Sequence, residues 1–339
     1  MTRIGFTFDL RSDYLEAGYT EEETAEFDNE ETIEAIASSL RRLGFDVERI
    51  GHARRLTERL VAGDRWDLVF NIAEGVRGRS REAQVPAILE AYDIPYVFSD
   101  PLTSAATLDK AVAKRLVRDA GVPTAGFAVL ETDGDADAAH VLFPAFVKPL
   151  AEGTGKGCGE ISRVETRAHL KAAACALRAR FRQPVLVETY LPGREFTIGI
   201  LGNGGDARVL GILEICFLQE DQGGVYSLEA KEHWQANICY TLAEDEEAVR
   251  AGAFALHAYS VLGCRDAARL DFRSDANGVP SFLEANPLPG LRPNYSDLAI
   301  LADLAGLSYD QFMSEIVEAA IARIGLRAKA RRIVAGSRS

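Results

Sequence analysis

Three short stretches of this 339-residue chain combine residue types and spacings that could handle phosphates and metal ions. In VKPLAEGTGKGCG, glycine stands at 153, 155, 157 and 159, directly after a strand-like run that ends in Lys148. Glycine permits positive φ and close approach, so successive backbone N–H groups can be turned onto phosphate oxygens. The stretch is not a Walker A loop, because Leu150 stands where the first glycine would be and Lys156 is followed by Gly157. Taken alone, the same composition also makes an ordinary hairpin.

The second stretch is ARLDFRSDANGVPSFLEANPLPG, where two strand-like runs flank the turn residues Ser274 to Gly278. Arg269 and Asp271 are two apart, as are Glu284 and Asn286, so each pair projects from one face of its strand. If the hairpin register joins those faces, two carboxylates and an amide oxygen converge beside a guanidinium. Hard oxygen donors without His or Cys suit Mg²⁺. Leu270, Phe272, Leu283 and Ala285 alternate with these polar residues, as if the opposite face were buried. The third stretch, VLVETYLPGREFTIGIL, ends one strand at Glu188 and opens the next at Glu195. An adenine pocket between sheets needs backbone hydrogen bonds at such a strand end, and a ribose needs a carboxylate. By themselves these two glutamates also read as solvated strand ends.

The elements that must position these residues follow from periodicity. Ile4 to Phe8, Phe45 to Ile50, Leu68 to Ile72 and Tyr96 to Phe98 read as strands. Helices are expected over Asp28 to Gly44, with Asp28 as cap and Glu31 closing a capping box, and over Ala83 to Tyr92. Alternating strands and helices predict a doubly wound parallel sheet. One helix is expected over Leu108 to Ala120. Beyond it, an α+β region is predicted, with strands at Phe146 to Lys148, Val185 to Glu188, Phe196 to Leu201, Val209 to Phe217, Arg269 to Phe272 and Ser281 to Glu284. Its helices are expected near Arg167 to Arg180, Glu246 to Leu262 and Tyr309 to Arg323. The acidic run at 21 to 31 reads as a solvated helix start, or as a loop that contributes to an acceptor pocket.

Composition bounds the function class. Hydrophobic residues at 47% and charged residues at 26% are globular values, and 38 Lys plus Arg against 51 Asp plus Glu give a net charge of −13. That balance argues against a nucleic-acid backbone or an anionic membrane as main partner. Five cysteines without CxxC spacing suggest neither a disulfide framework nor a zinc site. The first residues enter a strand without a signal-peptide core, and no run approaches a membrane span, so a cytoplasmic location is expected. Residues 326–339 are expected to form a basic, frayed tail.

The motifs LDK (108–110), VKP (147–149), EGTGKG, VETYLPGREFT, LEAK (228–231), LGCRDAARLDF and FLEANPLPG occur in an order and spacing that resemble the ATP-grasp ligases, and most of all the D-alanine–D-alanine ligase family. The resemblance runs from about Leu68 to Leu307. It implies an ATP-grasp fold with an N-terminal domain (1–102), a central ATP-binding subdomain (103–190) and a C-terminal catalytic subdomain (191–325). It also implies an ATP-dependent carboxylate–amine ligase that works through an acyl phosphate. By resemblance, Lys110 and Lys148 meet the nucleotide phosphates, with Glu152, Gly153, Thr154, Gly155 and Gly157 in the loop over them. Glu188, Thr189, Tyr190 and Leu191 lie at the adenine and Glu195 at the ribose. Asp271, Glu284 and Asn286 hold two Mg²⁺ ions, with Mn²⁺ as a substitute. Lys231 reaches the γ-phosphate from a lid, and Arg269 and the Gly290 backbone stabilise the oxyanion. The partners implied are a small-molecule carboxylate and amine, with no nucleic acid and no membrane, and a homodimer is compatible.

The departures from the family pattern cluster where amino acids bind. The GG-x-S-x-E-x-x-x-S segment is replaced by FDLRSDYLEAG, and HG-x-x-GEDG by NIAEGVRGRSREAQ. Glu232 follows the lid lysine, and LRPNYS (291–296) replaces a run of small residues. Glu74, Arg81, Arg292 and Tyr295 are therefore expected to contact substrate, with Asp13, Arg79 and Glu82 as further charged replacements. Ligation of a pair other than two D-alanines is the main expectation. True D-alanine–D-alanine ligation, a small-molecule kinase and a silent nucleotide-binding regulator remain alternatives.

Overall fold

A computed structural model describes residues 1–153, 155–159, 162–217 and 238–326. Three sheets follow one another along the chain. The first is parallel, in the order β2-β1-β3, from β1 (Arg3–Thr7), β2 (Asp46–Arg49) and β3 (Leu68–Asn71). Burial of all four residues of β3 explains its unbroken apolar run LVF. Tyr96 makes only a single parallel bridge to Val69 instead of the expected strand, because Phe98 turns into the left-handed region at φ 77°.

The helix Glu30–Arg42 buries Ile33, Ile36 and Leu40 at steps of three and four. Its cap differs from expectation. The Asn29 side chain accepts from Thr32 N at 2.9 Å, while Asp28 is held one residue earlier in a parallel bridge to Leu10. That extended pairing delays the helix start and leaves the Asp28 carboxylate free of capping. Residues 21–26 are turns rather than a helix start. A second difference lies at Asp109, whose side chain caps the helix Lys110–Asp119 through Ala111 N and Val112 N. The expected helix from Leu108 is therefore split, and a separate helix, Pro101–Leu108, precedes it.

The second sheet is antiparallel, ordered β4-β7-β5-β6, from β4 (Phe127–Leu130), β5 (Ala145–Pro149), β6 (Arg163–Val164) and β7 (Val185–Thr189). The third, ordered β10-β9-β8-β11-β12, comprises β8 (Glu195–Leu201), β9 (Arg208–Phe217), β10 (Ile238–Leu242), β11 (Ala267–Ser274) and β12 (Pro280–Asn286). Helix Glu246–Leu262 covers one face of it, packing Ala251, Ala255 and Tyr259 against Ile198, Leu270, Phe272 and Phe282. β4, β10 and the helix Asp297–Leu304 carry signals too short or too mixed to have been anticipated. The last helix, Tyr309–Ile324, returns to the first sheet: Phe312 and Ile316 share a core with Ile4, Phe6 and Ile36. Arg323 fastens this return through Asp266 at 2.7 Å and the Tyr96 carbonyl at 2.9 Å. No helix among the described residues is long and apolar enough to cross a membrane.

Candidate active site

The register of the third sheet decides where its polar residues meet. Asp271 lies directly across from Glu284, and Arg269 across from Asn286. The convergence that spacing made conditional is therefore realised. Parity holds only as far as a bulge after Asp271, beyond which Phe272 pairs with Phe282. The inserted residue, Leu283, was expected on the buried face. It lines the cleft instead, and Phe282 takes the buried place.

Asp271 is held from two sides, accepting from Thr197 Oγ1 at 2.9 Å and from Arg269 Nη2 at 3.0 Å. Glu284 lies 3.3 Å from Lys110 Nζ. Both carboxylates present oxygen only, and Asn286, whose Nδ2 donates to Asp271 at 3.4 Å, adds an amide oxygen. Among the described residues no group of three or more His, Cys, Asp or Glu is arranged so that it could hold a metal ion by itself. Two carboxylates and an amide fit Mg²⁺, which keeps waters and is completed by substrate phosphates. A zinc-type site would need nitrogen or sulfur donors.

The cleft between the second and third sheets is lined by Lys148 of β5, Thr189 at the end of β7 with Tyr190 and Leu191 after it, Glu195 of β8, and Asp271 and Glu284. Lys110, Glu152 and Gly155 close one side. Gly157 sits at φ +74°, where a Cβ would come within 2.6 Å of Pro149 and 2.8 Å of Phe181, so the loop cannot take this path with a side chain there. Thr154 and the proposed lid residue Lys231, with His233 beside it, lie outside the described residues.

Buried charge organises this cleft. Glu188 is 3% exposed and receives Lys114 Nζ and Lys148 Nζ, each at 2.8 Å. Burial pushes the Glu188 carboxyl up, but the two ammonium groups overcome it and hold it down at about 2. Burial likewise opposes charge on Lys148, and Glu188 and Glu284 reverse it, raising its pKa above the ordinary lysine value. Lys114 was not anticipated, although it follows Lys110 by one helical turn on the same face. Arg273 was also missed. It stands two residues after Asp271 on the same strand, 3.1 Å from Glu195 and 3.2 Å from Tyr190 Oη. Period-two spacing could have found it.

A second cavity adjoins the first. Arg269, Asn286, Gly290, Arg292 and Tyr295 line one side of it, and Glu26, Asp28, Glu74 and Glu82 the other. Gly290 has no room for a side chain, since a Cβ would lie 2.8 Å from Ser296 Oγ. Arg292 reaches Glu31 at 3.1 Å and stacks over the Tyr295 ring at 4.6 Å. Arg269 Nη1 is 3.1 Å from Asp297 Oδ2.

Arg81 lies elsewhere than expected. It is 8% exposed, outside the lining of this cavity, and donates to Glu26 at 2.7 Å and to the Ala151 carbonyl at 2.8 Å. A guanidinium committed to two acceptors fastens the first domain to the glycine-rich loop. Glu26 also accepts from Gly153 N at 2.7 Å and lies 3.3 Å from Lys156. Burial raises its carboxyl, and Arg81, Lys156 and the Gly153 N–H outweigh that to give about 2. Of the other charged replacements, Arg79 pairs with the helix-capping Asp109. Asp13 lines a third cavity beside Tyr14 and His52. Glu26 belongs to the acidic run at 21 to 31 that reads alternatively as a loop near an acceptor pocket, but its contact with the glycine-rich loop is made only by the tertiary fold.

The architecture and this sequence have clear counterparts. The D-ala D-ala ligase C-terminus family matches residues 116–318. The D-alanine–D-alanine ligase of Gluconobacter oxydans is 33% identical over 295 residues, covering 86% of this chain and 93% of that protein. An uncharacterised protein of Sinorhizobium fredii, y4sG, is 34% identical over 256 residues, 75% of this chain and 74% of its own. The crystal structure of the Bacillus anthracis D-alanine–D-alanine ligase complexed with ATP superposes with a TM-score of 0.69 at 22% identity, covering 95% of this chain and 98% of that one. The VanG D-Ala:D-Ser ligase of Enterococcus faecalis gives 0.70 at 21% identity over 94% and 99%. With the fold, the ordered motifs and full-length relatives in agreement, the chain belongs to the D-alanine–D-alanine ligase family of ATP-grasp enzymes, ADP-forming ligases of carbon–nitrogen bonds.

Proposed function

We propose that this ligase joins an amino-acid carboxylate to an amine through an acyl phosphate, on a pair other than two D-alanines. The observation that carries the reading is the contrast between neighbouring cavities. The cleft keeps the lysines and oxygen donors of the family pattern, while the cavity beyond Arg269 is rebuilt with Glu26, Asp28, Glu74, Glu82, Arg292 and Tyr295. In this reading ATP occupies the cleft, with adenine at Glu188 to Leu191, ribose at Glu195 and the phosphates at Lys110, Lys148 and the glycine-rich loop from Glu152 to Gly157. Asp271, Glu284 and Asn286 would hold two Mg²⁺ ions, which when bound neutralise charge on the transferring phosphoryl group. Arg269, fixed between Asp271 and Asp297, faces the point where a carboxylate from the second cavity meets the phosphate. With the Gly290 N–H it would stabilise the oxyanion as the amine attacks. Lys231 would close over the γ-phosphate. ATP use suits a cytoplasmic site of action, and the enzyme is compatible with a homodimer.

The test is a phosphate-release screen over pairs of amino acids, including D- and β-amino acids, with the amide product identified by mass. Release that depends on a second, amine-bearing substrate supports the reading, whereas a stable phosphorylated product without an amine would make the protein a kinase. A second reading, ligation of two D-alanines, is favoured by relatives of that name at 33% and 34% identity. Efficient D-alanyl-D-alanine synthesis would establish it.

A further inference from the structure

Among the described residues, three carboxylates that line the second cavity have no hydrogen-bond or ion-pair partner. Glu82 is only 8% exposed and lines the cavity, yet it makes no hydrogen bond or ion pair with any described residue. Glu74 and Asp28 line the same cavity, and their carboxylates also lack a hydrogen-bond or ion-pair partner among the described residues. The cations nearby have closer partners: Lys110, whose charge acts on Glu82, lies 3.3 Å from Glu284. Arg269 is held by Asp271 and Asp297, Arg292 by Glu31, Arg11 by Glu21, and Arg81 by Glu26 and the Ala151 carbonyl. Glu26, the remaining glutamate of the wall, is satisfied by Arg81, Lys156 and Gly153 N.

A buried carboxylate without a counter-ion is costly, and an enzyme keeps one where a ligand supplies the missing charge. We infer that Glu82, Glu74 and Asp28 form a cation subsite, so that one substrate of the ligase is a diamino acid carrying a second ammonium group beyond its α-amine. Two neutral amino acids bring one ammonium each to three carboxylates, whereas a pair that includes a diamino acid brings the third. The electrostatics agree with a wall awaiting a cation. Burial raises the Glu82 carboxyl to about 7, against the opposing pull of Arg81 and with the help of Glu26. Burial raises Asp28 to about 7 and, reinforced by Glu82, lifts Glu74 well above the ordinary range. A bound ammonium would reverse those shifts.

This inference rests on the ligase reading above, and two measurements separate their failures. Phosphate release with ATP and Mg²⁺ is compared within pairs matched in carbon count: 2,3-diaminopropionate against alanine, ornithine against norvaline, and lysine against norleucine, in both chiralities. At least one diamino acid is expected to exceed its partner in kcat/KM by tenfold or more. Glu82→Gln should collapse that ratio at least tenfold, and Glu74→Gln, at a less buried position, provides the same test should the first variant fail to fold. Binding of the same pairs to the full chain with ADP and Mg²⁺, measured by calorimetry, stands apart from turnover. Preferential binding of a diamino acid without phosphate release would sink the ligase reading and keep the subsite. Ligation with neutral amino acids preferred, or a ratio untouched by both variants, would overturn the subsite and keep the ligase.

Discussion

The two cavities that meet at the Arg269–Asp271 pair treat charge in opposite ways. Asp271 lines the first and Arg269 the second, and a 3.0 Å hydrogen bond joins them. In the first, the charged groups already answer one another: Lys114 and Lys148 share Glu188, Arg273 meets Glu195, and Lys110 meets Glu284. A site built to receive a polyanion can hold its lysines on internal carboxylates until the ligand competes for them. In the second cavity Glu82 is buried without such an answer among the described residues. In the proposed reading the first cavity is thus preorganised for ATP, whereas the second would be completed by what enters it.

The sharpest way to break the comparison is to remove the shared answer in the first cavity. Glu188→Ala leaves Lys114, fully buried, without its counter-ion, and should cost about 3–5 kcal/mol of stability in urea unfolding. A loss under 1 kcal/mol would mean that the lysines are stabilised otherwise. Next in size, Glu284→Gln should lower kcat by roughly 10²-fold or more while leaving the unfolding midpoint near wild type, because a neutral amide neutralises the phosphoryl transfer poorly. Near-normal turnover would remove Glu284 from the metal site. Lys231→Ala belongs with it: kcat should fall far more than KM for ATP rises, as expected of a group that meets the γ-phosphate only after closure.

A smaller effect separates the two kinds of carboxylate by the sign of their pH dependence. Glu26, lowered from 4.5 to about 2 by Arg81 and Lys156 against its burial, contributes stability that is present above about 4.5 and lost as pH falls toward 2. Glu82 is raised from 4.5 to about 7 by burial, against the pull of Arg81 and Lys110 and with Glu26 and Glu284 adding to the rise. Its contribution is present below about 4.5 and lost as pH rises through 7. Urea midpoints between pH 5 and 8 should therefore fall with pH, less steeply in Glu82→Gln than in wild type. An identical slope in the variant would place Glu82 in an ordinary environment. The smallest expected change is at the rim: Arg292→Ala, removing a partly exposed guanidinium stacked on Tyr295, should raise an amino-acid KM several-fold and leave KM for ATP nearly constant.

What could be read from the chain tracks how locally each feature is specified. Strand β11 and its return β12 were legible because turn residues and period-two polarity set their faces over a few residues, and Asp271 and Glu284 became partners through one hairpin. Lys114 and Arg273 carried the same kind of signal, one helical turn after Lys110 and two residues after Asp271, and were missed only because no motif drew attention to them. The bulge that moved Leu283 into the cleft could not be read, since it depends on how Phe272 and Phe282 settle under helix Glu246–Leu262. Sequence by itself determined the three-part order of elements, the glycine-rich loop and the oxygen-donor set. Only the tertiary structure decided that Arg81 would be spent on Glu26, that Asp28 would yield the cap to Asn29, and that Glu82 would stand unanswered among the described residues. Those outcomes bring together residues far apart in the chain, and no local periodicity encodes which of many like-charged neighbours receives the counter-ion when distant segments pack together.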